Sequence, residues 1–313
     1  MKRAIVFPGQ GSQTVGMGKE LSANFISAKQ IFAEVDDALS QNLSHIMFEG
    51  SEDELTLTEN AQPAIMASSM ALLAVLEAEA GFKPETYAAY FAGHSLGEYT
   101  ALAAAKALTL ADTARLLKIR GQAMQRAVAP GEGAMAAVLG LEYAQVQEVV
   151  KEAGAVGVCA IANDNSPGQI VISGTAAAVN KACEIAKEKG AKRAILLSVS
   201  APFHSPLMLP AASVMEKALA ETSMNVPTLP IVANVTASAV HDPVQIRKLL
   251  VEQVTGQVRW RESVEYLAAQ GVTSVLEIGV GKVLTGLTKR IVKELEGSCI
   301  ANVADIEQFG KVV

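Results

Sequence analysis

Short apolar runs alternate with amphipathic stretches along the first third of the chain. In the amphipathic stretches apolar residues recur every three or four positions, which is the spacing of one helix face. The apolar runs cover residues 4–7 and 87–92, and the helical patterns cover 25–39, 62–80, 98–107 and 110–127. Strands that alternate with helices favour a parallel sheet with helices packed on its faces.

The pattern changes between residues 129 and 199. Strands are predicted at 135–141, 156–162, 170–173 and 194–199, helices at 143–153 and 176–189, and a turn over the polar segment 163–168. This β-α-β-β-α-β order is typical of a ferredoxin-like domain. Strand-like runs return at 231–234 and 274–278. We therefore expect an α/β protein in which a ferredoxin-like domain, residues 129–199, is inserted into a larger parallel-sheet domain, residues 1–128 and 200–313.

Composition narrows the function classes. The 313 residues are half hydrophobic, which is enough for one large core and a smaller one, and the net charge of −6 argues against a nucleic-acid partner. The three cysteines, Cys159, Cys183 and Cys299, lack metal-ligand spacing and are interpreted as reduced thiols of a cytoplasmic protein without a metal site. No stretch of 18 residues is apolar and free of charge, so no membrane segment is expected.

The segment Gly93-His94-Ser95-Leu96-Gly97 lies between a strand pattern and a helical pattern. G-x-S-x-G in that context is a nucleophile elbow, in which a sharp turn exposes the serine hydroxyl. Leu96 would then supply a backbone N–H at a helix N-terminus, where donors are free to stabilise an oxyanion. We therefore expect Ser95 to be a nucleophile and the large domain to be hydrolase-like. The alternative is a glycine-flanked turn with an incidental serine.

A serine nucleophile needs a base at neutral pH. His204 is the best candidate, because it follows a predicted strand and catalytic groups gather beyond the carboxyl ends of strands. The alternative for His204 is an ordinary loop histidine. The other three histidines are given no catalytic role. His94 is interpreted as structural, His45 as a packed or capping residue, and His241 as part of an exposed turn. No acidic residue stands where a catalytic acid is expected, so we expect a Ser–His dyad whose histidine is held by a neutral acceptor such as a backbone carbonyl.

Arg120 lies on the apolar face of the helical pattern at 110–127, opposite the other charged residues. A guanidinium that points inward needs an anionic partner, because an unpaired buried charge is costly. The partner is either a carboxylate of the protein or a substrate carboxylate held in a bidentate clamp. In the second case the substrate is a dicarboxylic half-ester or half-thioester. The loop at 8–13 lacks the third glycine of a dinucleotide fingerprint and is expected to donate to the Ser95 site instead.

Five separated segments together resemble the malonyl-CoA:acyl carrier protein transacylase family over nearly the whole chain. They are FPGQGSQ at 7–13, GHSLGEYTAL at 93–102, RGQAM at 120–124, PFHS at 202–205 and LEIGVGKVLTGL at 276–287. The resemblance implies that Ser95 carries the acyl group and that His204 is the base. It also implies an oxyanion hole from the Gln10 and Leu96 amides, a malonyl carboxylate on Arg120, and a Gln253 carbonyl that orients His204. Phe203 resembles the bulky residue that leaves little room for an α-methyl branch.

The activity implied by the resemblance moves a malonyl group from malonyl-CoA to the phosphopantetheine thiol of holo acyl carrier protein, in fatty-acid biosynthesis. A malonyl-serine is the intermediate, and neither a metal nor another cofactor takes part. We also expect the protein to be cytoplasmic, as the cysteines indicate, and to be a monomer. Since such carriers are typically acidic, we expect a basic docking surface drawn from Lys187, Lys189, Lys192, Arg193, Lys282, Lys289 and Arg290.

Two other functions stay open at this point. A serine thioesterase or esterase needs Ser95 and His204 but has no need of Arg120. An acyl-CoA-binding or carrier-binding protein with a decayed site would bind ligand without forming an acyl-serine.

Overall fold

The structure, a computed structural model, describes residues 2–309, and within them ten strands form two sheets. The elements before the second sheet are β1 (Lys2–Phe7), α1 (Lys19–Asn24), α2 (Ile26–Leu39), α3 (Leu43–Glu49), α4 (Glu52–Thr56), α5 (Thr58–Ala80), α6 (Pro84–Tyr87), β2 (Tyr90–Gly93), α7 (Leu96–Ala104) and α8 (Leu110–Arg126). The second sheet and its helices are β3 (Gly133–Leu139), α9 (Tyr143–Ala153), β4 (Cys159–Ser166), β5 (Gln169–Thr175), α10 (Ala176–Glu188) and β6 (Arg193–Leu196).

The chain then returns to the first sheet. After a single 3₁₀ turn at Pro206–Met208, the elements are α11 (Leu209–Glu221), β7 (Ile231–Ala233), β8 (Ser238–Val240), α12 (Pro243–Thr255), α13 (Trp260–Ala269), β9 (Val272–Ile278), α14 (Val283–Ile291), β10 (Glu296–Ile300) and α15 (Val303–Phe309). The predicted strand run at 274–278 lies within β9, and the run at 231–234 corresponds to β7 and the one residue after it.

The large sheet has the strand order β10-β9-β1-β2-β7-β8, and all its pairings are parallel except that of β7 with β8. The central strand β1 is buried on both faces. Ile5 and Phe7 pack into one hydrophobic core, while Ala4 and Val6 pack into a second core on the opposite side. A parallel strand covered by helices on both faces needs apolar residues at every position, which explains the unbroken run at 4–7.

The small sheet has the order β4-β5-β3-β6 and is antiparallel throughout, which is the ferredoxin-like arrangement. Alternate residues of β5 face its two sides. Ile170 and Ile172 pack with α9 and α10 in a small core of their own, whereas Val171 belongs to the main core of the large domain. The predicted fold class is confirmed: a parallel-sheet domain carries a separate ferredoxin-like sheet.

The predicted turn at 163–168 is wrong, because β4 continues to Ser166 and only the next two residues turn. The polar side chains that suggested a turn belong to a strand that faces the large domain. Asp164 pairs with Arg261 at 2.8 Å, and the backbone N–H of Asp164 donates to the Val258 carbonyl at 3.0 Å. Polar residues in a strand are tolerated where another domain satisfies them.

Helix α5 is long and apolar enough to cross a membrane by length and composition alone, but most of its apolar stretch is buried inside the protein. It packs against α2 and α8 as a core helix of the large domain. The helix begins at Thr58, four residues before the start that the periodicity predicts. Such offsets arise because the polar first turn carries no apolar signal.

The elbow depends on two close approaches of the backbone. A Cβ at Gly93 would overlap the carbonyl of Gly97, and a Cβ at Gly97 would overlap the carbonyl of Phe7. Strand β1, strand β2 and the first turn of α7 therefore approach to a distance that only glycine permits. This packing sets the direction in which the turn presents Ser95.

We expect Gly97→Ala to destabilise the protein by about 2 kcal/mol, because the new methyl group forces the first turn of α7 away from β1. Gly286→Ala is the matched control, since Gly286 also lies in a helix but has open space at its Cβ position. The control should stabilise by roughly 0.5–1 kcal/mol. Urea unfolding followed by circular dichroism measures both changes, and a neutral Gly97→Ala would contradict the close packing.

Candidate active site

Ser95 lies in the turn between β2 and α7, at the carboxyl end of a central strand of the large sheet. Its backbone has φ 54° and ψ −109°, a strained conformation for a residue with a side chain. The backbone N–H of Ser95 donates to Asn234 Oδ1 at 2.7 Å, and the Asn234 amide donates to the Gly93 carbonyl at 2.7 Å. A side chain directly after the neighbouring strand, β7, therefore holds both ends of the turn.

Ser95 Oγ lies 2.7 Å from His204 Nε2. On the other side of the ring, His204 Nδ1 lies 2.8 Å from the Gln253 carbonyl and 3.1 Å from the Gly256 carbonyl. Carbonyl oxygens only accept hydrogen bonds, so Nδ1 carries the proton and Nε2 is free to accept one from the serine hydroxyl. The arrangement is a serine–histidine pair oriented by neutral backbone groups.

Burial is the main cause that lowers the pKa of His204, to about 3, and the nearby positive charge of Arg120 lowers it further. The imidazole is therefore neutral throughout the physiological pH range. A neutral imidazole that accepts at Nε2 is the protonation state that a general base requires.

Arg120 is almost fully buried on α8, with only 2% of its surface exposed. Its Nη1 donates to Gln62 Oε1 at 2.6 Å, and its Nη2 donates to Ser95 Oγ at 3.0 Å and to Gln253 Oε1 at 2.9 Å. Within residues 2–309 no carboxylate lies within ion-pair distance of the guanidinium, and its buried Nε–H has no acceptor. The internal ion pair considered from the sequence is therefore wrong.

A cavity of about 370 Å³ opens beside Ser95. Its lining brings together the residues predicted from separate segments, namely Gln10, Leu96, Arg120, Phe203 and His204. Leu96 is the first residue of α7, where a backbone N–H has no acceptor within the helix. Gln10 lies in the loop after β1 with its side chain fixed by a hydrogen bond from Thr58 at 3.0 Å. The small domain closes the cavity through Met135 and Val171.

Three residues of this site were not found from the sequence: Gln62, Glu98 and Asn234. Gln62 accepts a hydrogen bond from Arg120, and Asn234 accepts one from the Ser95 N–H. Glu98 accepts hydrogen bonds from Asn234 and Gln253. Asn234 directly follows β7, so the rule that functional groups collect at the carboxyl ends of strands could have found it. Glu98 lies one helical turn after Ser95 but reads as an ordinary polar residue in the first turn of a helix. Gln62 carries no local signal.

The other histidines differ from one another. His94 lines the same cavity as Ser95, and its Nε2 lies 2.8 Å from Asn165 Oδ1. Burial lowers the pKa of His94. His45 is neither packed nor a helix cap: it is exposed on α3, with Nδ1 3.8 Å from Glu49, because the helical period turns Leu43, Ile46 and Met47 inward. His241 is exposed, as its turn predicts.

The predicted docking residues lie on the surface to different degrees. Lys189 is half-buried and pairs with Glu148 at 3.2 Å and Glu152 at 2.8 Å. Arg290 donates to Gln169 Oε1 of the small domain at 3.0 Å. Arg290 is exposed, and so are the remaining candidates: Lys187, Lys192, Arg193, Lys282 and Lys289.

Comparison with known proteins gives consistent matches. The acyl transferase domain family matches residues 4–311. The malonyl CoA-acyl carrier protein transacylase of Bacillus subtilis is 46% identical over 307 residues, which cover 98% of this chain and 95% of the relative. The protein of the same name from Escherichia coli K12 is 46% identical over 297 residues, 95% of each chain. The chain belongs to the malonyl CoA-acyl carrier protein transacylase family.

Solved structures of this transacylase family share the whole fold. The acyl-carrier-protein-S-malonyltransferase of Bartonella henselae superposes with a TM-score of 0.97 at 54% identity, covering 100% of this chain and 99% of the other. A malonyl-transacylase in complex with its type II PKS acyl-carrier protein superposes with a TM-score of 0.96 at 40% identity, covering all of both chains. The family resemblance drawn from the five sequence segments is thereby confirmed.

For this transacylase we expect Ser95 to remain reactive far below the pH at which an ordinary histidine is protonated. Because the pKa of His204 is lowered from 6.5 to about 3, sulfonylation of Ser95 by a small neutral sulfonyl fluoride should proceed at a nearly constant rate from about pH 8 to about pH 5. Arg120→Met removes the neighbouring positive charge and should raise the pKa of His204. The pH below which the sulfonylation rate falls should therefore be higher in this variant than in wild type. A wild-type rate that halves near pH 6.5 would contradict the lowered pKa.

Proposed function

We propose that the protein transfers a malonyl group from malonyl-CoA to the phosphopantetheine thiol of holo acyl carrier protein through a malonyl-serine at Ser95. One observation carries the proposal: Ser95 Oγ is in hydrogen-bond distance of both a neutral base, His204, and a buried cation, Arg120. The carboxylate that binds this cation must therefore lie within a few bonds of the carbonyl that Ser95 attacks. Malonyl thioesters, with one carbon between the two groups, meet that condition.

The first half-reaction uses the groups around the cavity. Ser95 Oγ bonds to the thioester carbonyl carbon while its proton passes to His204 Nε2. The negative charge that develops on the carbonyl oxygen faces the free N–H groups proposed for Leu96 and Gln10. The C–S bond breaks, and coenzyme A leaves with the proton from His204. The unpaired Nε–H of Arg120 adds a donor for the malonyl carboxylate.

The second half-reaction reverses the sequence with a new nucleophile. The carrier thiol gives its proton to His204 and attacks the malonyl-serine, and the Ser95 oxygen takes the proton as the ester bond breaks. One thioester replaces another, so the chemistry balances without a metal, a redox cofactor or ATP. We propose that Phe203, nearly buried on the cavity wall beside His204, disfavours donors with an α-methyl branch.

The cellular setting is part of the proposal. Relatives named for malonyl transfer to acyl carrier protein support a role in fatty-acid biosynthesis. All three cysteines are free thiols, which supports a cytoplasmic location. We also propose that the chain acts as a monomer, because one chain by itself supplies the nucleophile, the base and the carboxylate-binding group of the site.

The intact mass after brief incubation with malonyl-CoA tests the function. Wild type should gain one malonyl group and lose it when holo acyl carrier protein is added, whereas Ser95→Ala should gain none. Arg120→Met should acquire malonyl at least ~100-fold more slowly, because the substrate carboxylate loses its charged partner. Its rate with acetyl-CoA should be much less affected.

The rival functions give different masses. An adduct that decays equally fast with and without carrier would indicate a hydrolase, as would an Arg120→Met variant with full activity on neutral acyl esters. Binding of malonyl-CoA without any adduct would indicate a binding protein.

We propose that Lys192 and Arg193 of the small domain are part of the surface that binds the acidic carrier. They are exposed on the segment that leads through β6 to Leu197–Val199 at the cavity rim. Lys282 and Lys289 lie on the large domain as a second exposed group, whereas the ion pairs of Lys189 weaken its case.

Charge reversal at Lys192 and Arg193 should raise KM for the carrier about tenfold or more and leave KM for malonyl-CoA unchanged. The matched control is the double reversal of Lys217 and Lys248, which are exposed on α11 and α12 and line no part of the cavity. The control changes the net charge equally and should leave both KM values unchanged. Equal increases in both KM values for the first variant would argue against docking there.

A further inference from the structure

We propose that Glu98 is a positioning residue for acyl transfer, and that its carboxylate holds Ser95 through Asn234 and holds His204 and Arg120 through Gln253. Glu98 lies on α7 and is only 2% exposed. It touches neither the reacting atoms nor the cavity wall. The inference rests on the acyl transfer proposed above and adds a residue to which that chemistry gives no role.

The first connection runs from Glu98 to the nucleophile. Glu98 Oε2 accepts a hydrogen bond from the backbone N–H of Asn234 at 2.9 Å. This bond fixes the end of β7, from which the Asn234 side chain accepts from the Ser95 N–H and donates to the Gly93 carbonyl. A strained turn persists only where its surroundings hold it in place. Here the Asn234 side chain makes both hydrogen bonds that hold the turn, one to the Ser95 N–H and one to the Gly93 carbonyl.

The second connection runs from Glu98 to the base and the cation. Gln253 Nε2 donates to Glu98 Oε2 at 2.9 Å and to the Ser95 carbonyl at 3.0 Å. The opposite end of the same amide, Oε1, accepts from Arg120 Nη2 at 2.9 Å. The backbone carbonyl of Gln253 is also an acceptor for His204 Nδ1. Glu98 therefore holds Gln253, and Gln253 orients both the base, His204, and the carboxylate-binding group, Arg120.

The chemistry at the two ends of the Gln253 amide fixes its orientation. A guanidinium only donates and an ionised carboxylate only accepts, so a flipped amide would place donor against donor and acceptor against acceptor. Glu98 and Arg120 thus act as a charge pair separated by one amide group. Within residues 2–309 no cation lies within ion-pair distance of Glu98. A direct salt bridge therefore does not explain why a carboxylate is buried at this position.

The buried Glu98 carboxylate is also unfavourable for the stability of the fold. A role in positioning can therefore be distinguished from a role in packing, because replacing Glu98 should lower activity without lowering stability. Burial raises its pKa to about 7, from an ordinary value of 4.5. A raised pKa in the folded state means that the contribution of Glu98 to stability is most favourable below its ordinary pKa of 4.5 and is lost as pH rises through about 7. The titratable groups that interact with Glu98 are Arg120 and Tyr99, and of these the positive charge of Arg120 lowers its pKa. At pH 8 the buried carboxylate therefore costs stability, and a neutral residue of similar size should fold at least as well.

Two substitutions of similar volume test the inference. Glu98→Met fills the space but accepts no hydrogen bond, whereas Glu98→Gln keeps a carbonyl acceptor for Asn234 and Gln253. We expect Glu98→Met to lower the rate of malonyl-Ser95 formation ~100-fold, since misplacement of reacting groups by about 1 Å has that effect. Glu98→Gln should stay within about tenfold of wild type. The preference for malonyl-CoA over acetyl-CoA should fall in Glu98→Met, because Arg120 loses its oriented acceptor.

Stability and an independent reaction complete the test. At pH 8 the urea midpoint of Glu98→Met should equal or exceed that of wild type, while sulfonylation of its Ser95 by a neutral sulfonyl fluoride is slowed. Glu277→Met is the matched control: Glu277 is another fully buried carboxylate, but it caps the first turn of α14 by accepting from the N–H groups of Leu284 and Thr285. The folded control should acylate at the wild-type rate.

Two outcomes would overturn the inference. One is a stable Glu98→Met variant with the wild-type rate and malonyl preference, and the other is a Glu98→Gln variant as slow as Glu98→Met. Failure of the proposed function is distinguishable, because wild type itself would then form no malonyl-serine while still reacting with the sulfonyl fluoride.

Discussion

The burial of one guanidinium beside the serine hydroxyl governs the rest of the site. Arg120 is enclosed by the core, yet its partners are the neutral oxygens of Gln62, Gln253 and Ser95 rather than a carboxylate. Neutral acceptors satisfy hydrogen bonds without cancelling the charge, so attraction for an incoming anion is preserved. The same positive charge helps to keep His204 neutral, which is the state in which it serves as a base. The Arg120 charge thus serves substrate selection and adds to burial in keeping the base neutral.

The large sheet makes this burial possible. Strand β1 and strand β2 end side by side, and their close contact with α7 presents Ser95 at a fixed angle. Helix α8 places Arg120 against the same edge, and helix α12, which packs into the same core, supplies Gln253. Each group stands on a regular element or directly beside one. Such placement gives the precision that proximity effects in catalysis require.

The small domain completes the cavity and is anchored to the large one by polar contacts. Asp164 pairs with Arg261, and Tyr143 donates to Gln257 at 3.0 Å. These contacts lie on the α13 side, while Met135 and Val171 present an apolar wall to the cavity. An apolar wall facing a charged floor favours a ligand with a carboxylate at one end and a thioester at the other.

The sequence by itself determined the alternation of strands and helices in residues 4–127, the β-α-β-β-α-β order of the insertion and the nucleophile elbow, because these depend on apolar period and on glycine spacing within a few residues. The helices that follow residue 200 and the strands β8 and β10 were not predicted. It also indicated Ser95, His204 and Arg120 as chemistry-bearing residues, each by a local pattern. Only the tertiary structure decided that Arg120 lacks a carboxylate partner, that residues 163–166 form a strand, and that His45 is exposed. It also revealed Gln62, Glu98 and Asn234, whose partners lie far away in the chain. A hydrogen bond between residues far apart in the chain produces no periodic pattern in the sequence. Such contacts can therefore be seen only once the chain has folded and brought the two segments together.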